Sequence, residues 1–300
     1  MKAVVMHETG SPEVLRYEET ERPEPGDGEV LIRVRAASVN PVDWKYRRGV
    51  ADKQLPAVLG NDVSGTVEVS REGFVEGDQV FGLAASGGYA ELATASGAVI
   101  AKKPASVSHE QAAAIPVAGL TAWQALFDRG GLQSGQTALI AGAAGGVGHF
   151  AVQFSKFGGA RAIGTGSSRN RNFVLGLGAE QYVDYTQQDV GDAVNDVDVA
   201  LDTVGGETTV SLLPTLREGG IIVTIAGAPP EEAAQERGIR AELLVMSPSS
   251  EQLARIVELV AAGEVRVELA EVIPLADVQR AHEFSESGHT RGKIVLTVGT

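Results

Sequence analysis

The chain has 300 residues, 43% of them hydrophobic and 21% charged, with a net charge of −14 and no cysteine. That length allows one large or two medium domains, each with its own core. The lack of cysteine excludes disulfides, iron–sulfur clusters and thiolate-ligated zinc, and the acidic balance argues against nonspecific nucleic-acid binding, which needs clustered Lys and Arg. No apolar run approaches the roughly 18 to 20 residues of a membrane span. The opening MKAVVMHETG is too short and too polar for a secretory signal and reads as a first strand, so the cytoplasm is the expected compartment.

The first hundred or so residues read as β. Val30, Ile32, Val34 and Ala36 alternate with Leu31, Arg33 and Arg35, the pattern of a half-buried strand, and Val63, Gly65, Val67 and Val69 alternate in the same way. Pro and Gly clusters at Pro23 to Gly26, Glu76 to Asp78 and Ser86 to Gly88 mark turns between closely spaced strands, as in a small sandwich or barrel. Near residue 108 the character changes. Ser108 caps an alanine-rich helix interrupted by Pro116, and Ala118 to Phe127 reads as a second helix.

From Thr137 the chain alternates strand and helix. Thr137–Ala141, Arg161–Thr165, Val197–Leu201 and Gly220–Ala226 are continuous apolar runs of the kind a parallel sheet covered on both faces requires. Ser249 to Gln252 resembles a capping box ahead of Leu253, Ile256, Val257 and Val260, and Gly263 ends that helix. Leu275 to Ser287 reads as a helix and Gly292 to Val298 as a closing strand. The expected fold is α/β, a Rossmann-type doubly wound parallel sheet inserted into a β-rich, small-barrel domain. The boundaries predicted are 1–117 plus 262–300 for the β-rich domain and 118–261 for the nucleotide domain.

The stretch between the first of these strands and its helix carries the chemistry. Gly142, Ala143, Ala144, Gly145, Gly146, Val147 and Gly148 form a glycine turn, and Val147, Phe150, Ala151, Val152 and Phe154 then read as the buried side of a helix. Strand, glycine turn and helix make a dinucleotide-binding unit: the glycines permit the tight turn, close approach to a pyrophosphate, and close helix packing. The phosphates would meet the free N–H groups and dipole of the helix N-terminus. Units that bind NAD carry an acidic residue about 20 residues further on, for the ribose hydroxyls. Here no Asp or Glu occurs between Arg161 and Arg171. A carboxylate would repel a 2′-phosphate, whereas Ser167, Arg169 and Arg171 can hydrogen-bond it, so NADPH is the expected cofactor; the alternative for these arginines is a solvated surface.

Several spaced motifs resemble one group over nearly the whole chain. They are Ala37 to Asp43, Pro56 to Gly65, Ala118 to Ala122, Gly142 to Gly148, Asp202 to Gly206 and Arg291 to Leu296. In this order they resemble the medium-chain dehydrogenase/reductase superfamily, in its zinc-independent, zeta-crystallin-like quinone oxidoreductase branch, whose β-rich domain is GroES-like. Zinc-dependent cousins use a Cys, a His and a further Cys as catalytic ligands. Motif alignment puts Asn40, Asn61 and Val117 at those positions, and amides and valine cannot replace thiolate and imidazole. No metal is expected.

The resemblance implies NADPH-dependent hydride transfer to a small molecule, a quinone or other activated α,β-unsaturated carbonyl. Asn40, Asp43 and Lys45 match catalytic positions. Asn40 reads either as an amide donor near the nicotinamide ribose or substrate oxygen, or as an Asx-turn residue before Pro41. Lys45 reads either as a hydrogen-bond and proton donor to the acceptor carbonyl or as a surface lysine beside Trp44. Thr121, Ala226, Val245, Met246 and Ser247 match positions near the nicotinamide, Thr121 reading alternatively as a residue that caps or packs its helix, and Arg291 and Lys293 complete the implied cofactor contacts. Trp44, Tyr46 and Tyr89 read either as aromatic walls of a quinone pocket or as core residues. His149 reads as a pyrophosphate neighbour or a partly exposed helix residue. Family resemblance also suggests a homodimer joined through the nucleotide domains. Two other readings follow from the same features: a noncatalytic NADPH-binding sensor or structural protein, and an NAD(P)-linked alcohol dehydrogenase.

Overall fold

Strand Glu29–Val39 is the spine of the N-terminal part of the chain in a computed structural model that describes residues 1–299. Only Arg33 and Arg35 are exposed along it beyond its first residue; every other position faces packed neighbours, which is why the alternation fades toward Val39. One edge of the strand, from Ile32 to Ser38, pairs with Asp62–Val67. The other edge is shared, its first half pairing with Leu92–Ser96 and its second with Lys293–Thr297. A bulge between Val34 and Ala36 marks the change, and a bulge bends a strand and increases its twist, which turns this sheet toward a barrel. Strands Leu269–Pro274, Gln79–Leu83 and Ile100–Lys102 extend the same sheet, and Lys2–Met6 lies in a separate three-stranded one. Their inward side chains, among them Val30, Ile32, Val63, Val80, Ile294 and Leu296, form one apolar core.

The second unit is a six-stranded sheet in the order Gln181–Asp184, Arg161–Gly166, Thr137–Ala141, Val197–Asp202, Leu216–Thr224, Arg240–Leu243. All its pairings are parallel. Counted within the unit, that order is 3-2-1-4-5-6, the doubly wound arrangement whose direction reverses between the first and fourth strands. The glycine turn leaves the first strand and Asp202 ends the fourth, so both lie at the carboxyl ends beside the reversal, where such sheets bind ligands.

Three differences from the sequence reading have physical causes. Gln181–Asp184, Arg240–Leu243 and Leu269–Pro274 were not expected as strands; each is an edge of its sheet and lacks the continuous apolar run of a central strand. The helix expected from Ala118 starts at Pro116, where proline's fixed φ suits a first turn, and at Gln124 it widens into π-helix through Arg129. The third concerns the domain boundary. Helix Ser250–Ala261, assigned above to the nucleotide domain, groups with the first unit, where its apolar face meets strand Ile100–Lys102. The first unit comprises residues up to Val117, Pro248–Gly263 and the chain from Val267 on; the second comprises Ala118–Ser247 and Glu264–Arg266. Thr300, the end of the expected C-terminal segment, lies outside the described residues. Among the described residues no helix is long and apolar enough to cross a membrane.

Candidate active site

The glycine turn of the second unit is built by close backbone approach. Gly142 has φ +71°, a conformation that L side chains rarely adopt, and a Cβ there would lie 2.4 Å from Thr203 Oγ1. A Cβ on Gly148 would lie 2.2 Å from the Gly142 carbonyl oxygen, so helix Gly148–Phe157 begins against the turn itself. Gly145 N–H donates to Gly142 O at 2.9 Å, and Ala143 N–H to Thr165 O at 3.1 Å, which ties the turn to the second strand. The result is a tight glycine turn packed directly against a helix N-terminus. Those are the features that a pyrophosphate requires, and the residues present fit a dinucleotide.

Asp202 completes this edge, a role that the sequence reading did not assign. Its Oδ1 accepts the N–H groups of Val204 at 2.8 Å and Gly205 at 3.0 Å, and its Oδ2 accepts the Thr209 hydroxyl at 2.5 Å. Fully buried, it folds the turn after the fourth strand back so tightly that a Cβ on Gly205 would meet the Ala226 carbonyl at 2.2 Å. His149 is buried, not partly exposed: Nδ1 lies 3.0 Å from Gly145 O and its ring packs on Phe150.

The turn after the second strand departs from expectation in one respect. Arg169 is exposed and Ser167 half-buried. Arg171 is instead drawn back over the Tyr182 ring, 5.9 Å from its centroid, with Nη1 donating to Tyr182 O at 3.4 Å. The third strand also brings Asp184 to the turn, where its carboxylate accepts the Ser168 hydroxyl and the Thr186 N–H and hydroxyl. These bonds, that of Ser168 foremost, hold Asp184 below the usual carboxylate range. An acid thus stands near this turn, supplied 16 residues from Ser168 by strand pairing and so invisible in the local sequence. Thr121 is buried on its helix, whereas Val245 is 76% exposed and Met246 half-buried.

In the first unit, Asn40 caps helix Pro41–Arg47, and both ends of its amide are engaged. Nδ2 donates to Asp62 Oδ2 at 2.8 Å, and Oδ1 accepts from Lys293 Nζ at 2.5 Å. Asp62 also accepts the Ser38 hydroxyl at 2.8 Å and the Val117 N–H at 3.0 Å, and Lys293 donates further to Val39 O at 3.1 Å. All these side chains are buried, with Lys293 and Asp62 3.7 Å apart as an ion pair. Burial raises the Asp62 carboxyl and lowers the Lys293 ammonium, and their mutual attraction opposes both shifts. Lys293 was expected at the cofactor; its ammonium is turned into this cluster, while Arg291 is exposed. Beside it, Asp43 Oδ2 accepts the Asn40 N–H and the Tyr89 hydroxyl, both at 2.8 Å. Burial, the dominant cause, pushes Asp43 up to about 6. Tyr89 is wholly buried, the core alternative of its two readings. Lys45 and Tyr46 are half-buried, as is Trp44, with Lys45 Nζ 5.8 Å from the Trp44 ring centroid.

These residues do not fit zinc. Asn40 spends its side-chain carbonyl on Lys293, Asn61 offers only a neutral amide, and Val117 is apolar. Among the described residues no three His, Cys, Asp or Glu side chains gather as ligands, and the Lys293 ammonium would repel a second cation at Asn40.

Comparison with known proteins agrees with this geometry. Residues 26–105 match the alcohol dehydrogenase GroES-like domain and residues 177–296 the zinc-binding dehydrogenase family. Mouse quinone oxidoreductase is 33% identical over 99% of this chain and 97% of its own. Among solved structures, the Escherichia coli quinone oxidoreductase complexed with NADPH superposes with a TM-score of 0.91 at 29% identity, covering 99% of this chain and 100% of that one. An NAD-dependent alcohol dehydrogenase superposes with a TM-score of 0.93 at 32% identity, covering 100% of both. The chain belongs to the medium-chain dehydrogenase/reductase superfamily, in its zeta-crystallin-like quinone oxidoreductase branch. It is an oxidoreductase that uses a nicotinamide cofactor on a small-molecule substrate.

Two predictions follow from the buried cluster. Lys293→Met leaves Asp62 buried without its partner and should cost about 3 to 5 kcal/mol in urea unfolding; adding Asp62→Asn should recover part of that loss, whereas simple additivity would show that the two do not interact. The second concerns pH. Asp43 releases its proton near 3.8 when unfolded and near 6 when folded, so its contribution is fully present below the lower value and is lost as pH rises through the higher. Asp43→Asn should therefore remove a decline of up to roughly 3 kcal/mol between those values, seen as a difference in unfolding free energy that grows from acidic to neutral pH and then levels off.

Proposed function

We propose that the protein is an NADPH-dependent, zinc-independent reductase of quinones or other activated α,β-unsaturated carbonyls. The observation that carries the reading is the Asn40–Asp62–Lys293 cluster: at one of the three positions where metal ligands would be needed stands Asn40, whose amide is bound at both ends by a buried ion pair, and the other two positions are Asn61 and Val117. Without Lewis-acid polarisation the acceptor must already be electrophilic, and conjugation in quinones and enones spreads the charge that reduction develops.

The bound nicotinamide would supply hydride. The chain's own part is to bind, orient and protonate. Gly142 to Gly148 receive the pyrophosphate, and Ala226, Thr121 and Val245 to Ser247 flank the nicotinamide. Of the two N–H groups on the Asn40 amide, Asp62 takes one; the other is the donor for a ribose or acceptor oxygen. Asp62 and Lys293 act through Asn40 as positioning residues, since carbonyl and amine ends are distinguished by opposite partners. Lys45, on the helix that Asn40 caps, delivers the proton to the reduced oxygen.

A panel of ortho-quinones, para-quinones, enals, enones and simple ketones with NADPH tests the acceptor class. Turnover confined to the conjugated members is expected. Equal turnover of simple ketones would overturn the reading, and NADPH binding without any turnover would favour a sensor.

Cofactor preference rests on Ser167 and Arg169, with Arg171 the secondary candidate for the 2′-phosphate. Charged hydrogen bonds contribute about 1.5 to 3 kcal/mol, so Arg169→Ala should lower the NADPH-to-NADH ratio of kcat/KM by about tenfold or more. An unchanged ratio would remove Arg169 from the 2′-phosphate site.

A further inference from the structure

Gln124 opens the π-helical stretch Gln124–Arg129 and is buried. Its side-chain amide pairs with one backbone unit of a distant loop: Nε2 donates to Ser247 O at 2.7 Å, and Oε1 accepts Ser247 N–H at 2.9 Å. This is the two-bond exchange that a neighbouring strand would supply, offered here by a side chain. Ser247 needs it, because residues 244–249 belong to no helix or sheet, and the last ladder pairing before them is Leu243 with Thr224. The π-helical turn begins at Gln124, the residue that makes the pair, and such local widening of a helix often accompanies function. Thr121 lies three positions earlier on the same helix, hence on the same face.

We infer that Gln124 is a positioning residue for the nicotinamide half of the cofactor, setting the backbone of Val245 to Ser247 in register with Thr121. The assignment rests on the nicotinamide reading of those four residues given above. It explains why an unladdered segment, exposed at Val245 and Ser247 with Met246 half-buried between them, is held at Ser247 by a side chain that could otherwise have been apolar. Without the amide, the Ser247 N–H and C=O lose their partners and the loop loses its register.

A second glutamine supplies the control. Gln153 makes the same kind of pair with Arg266, donating to its carbonyl at 3.0 Å and accepting its N–H at 2.8 Å, but that segment carries no residue assigned to the cofactor. The test compares Kd for NADPH with Kd for 2′-phospho-ADP-ribose, which lacks only the nicotinamide, in wild type, Gln124→Met and Gln153→Met. In Gln124→Met, NADPH should weaken by about tenfold, the loss of one or two neutral hydrogen bonds, while 2′-phospho-ADP-ribose binding stays within a factor of two. Amide exchange at Ser247 in the ligand-free protein should accelerate. Gln153→Met should leave the ratio of the two constants unchanged.

Gln124→Glu keeps the assignment testable if the methionine variant does not fold. A protonated glutamic acid can donate to the Ser247 carbonyl and accept its N–H as glutamine does, whereas the carboxylate repels the carbonyl. Its NADPH affinity relative to wild type should therefore recover as pH is lowered from about 8 to about 5.5, toward the range in which carboxyls protonate. An equal loss for both ligands in Gln124→Met, no loss, or a Gln124→Glu affinity ratio independent of pH would overturn the assignment. Wild-type protein that binds neither ligand would overturn the nicotinamide reading itself, and this assignment with it.

Discussion

A positive charge sealed inside a β-rich unit is the constraint on which the first unit is organised. An isolated buried ammonium is costly, so Lys293 has to be met by Asp62 at 3.7 Å, by the Asn40 amide and by the Val39 carbonyl. Those partners come from strand Glu29–Val39, its helix cap, strand Asp62–Val67 and the C-terminal strand. Any shift of register among the three strands would separate donor from acceptor. The same polar cluster sets which end of Asn40 carries its N–H groups, so strand pairing and the chemistry of the candidate site are fixed by one set of bonds. Burying polar groups of this kind contributes little net stability when all are satisfied, but leaving one unsatisfied is expensive. That asymmetry favours a single arrangement.

The sequence made the centre of each sheet legible and left its edges obscure. Thr137–Ala141 could be recognised because a strand covered on both faces needs a continuous apolar run. Arg240–Leu243, with alternating charge on an exposed edge, offers no such signal and becomes a strand only because Leu216–Thr224 presents free backbone groups to it. His149 misled for a related reason. Polarity suggested a surface position, yet every residue from Gly148 to Ser155 is buried, so the helix has no wet side there and the imidazole finds the Gly145 carbonyl instead.

Site residues divide along the same line. The glycines of the turn announce themselves by type and spacing, since Gly142 has a positive φ and Gly148 has no room for a Cβ. Lys293 could be placed in a motif, but not its target, because Asn40 lies 253 positions away and only pairing of the terminal strand joins them. Asp184 and Gln124 were missed because neither belongs to a spaced motif: one reaches the second-strand turn through a parallel neighbour, the other reaches a loop 123 residues downstream through its amide.

The split edge of strand Glu29–Val39 has a consequence for the order of assembly. Its second half pairs with Lys293–Thr297, so Ala36 waits for a partner, Thr297, that is translated long after it. The second unit has all its strands by Leu243 and its last segment by Arg266. During synthesis the second unit can therefore close while the ribosome still holds the strand that completes the first. Until then the inner half of the spine, Ala36 to Val39, presents an unpaired, apolar edge of the kind that invites intermolecular pairing. Nascent chains thus keep this edge open until Lys293–Thr297 has been made, and loss of that strand would be felt in a sheet begun long before it.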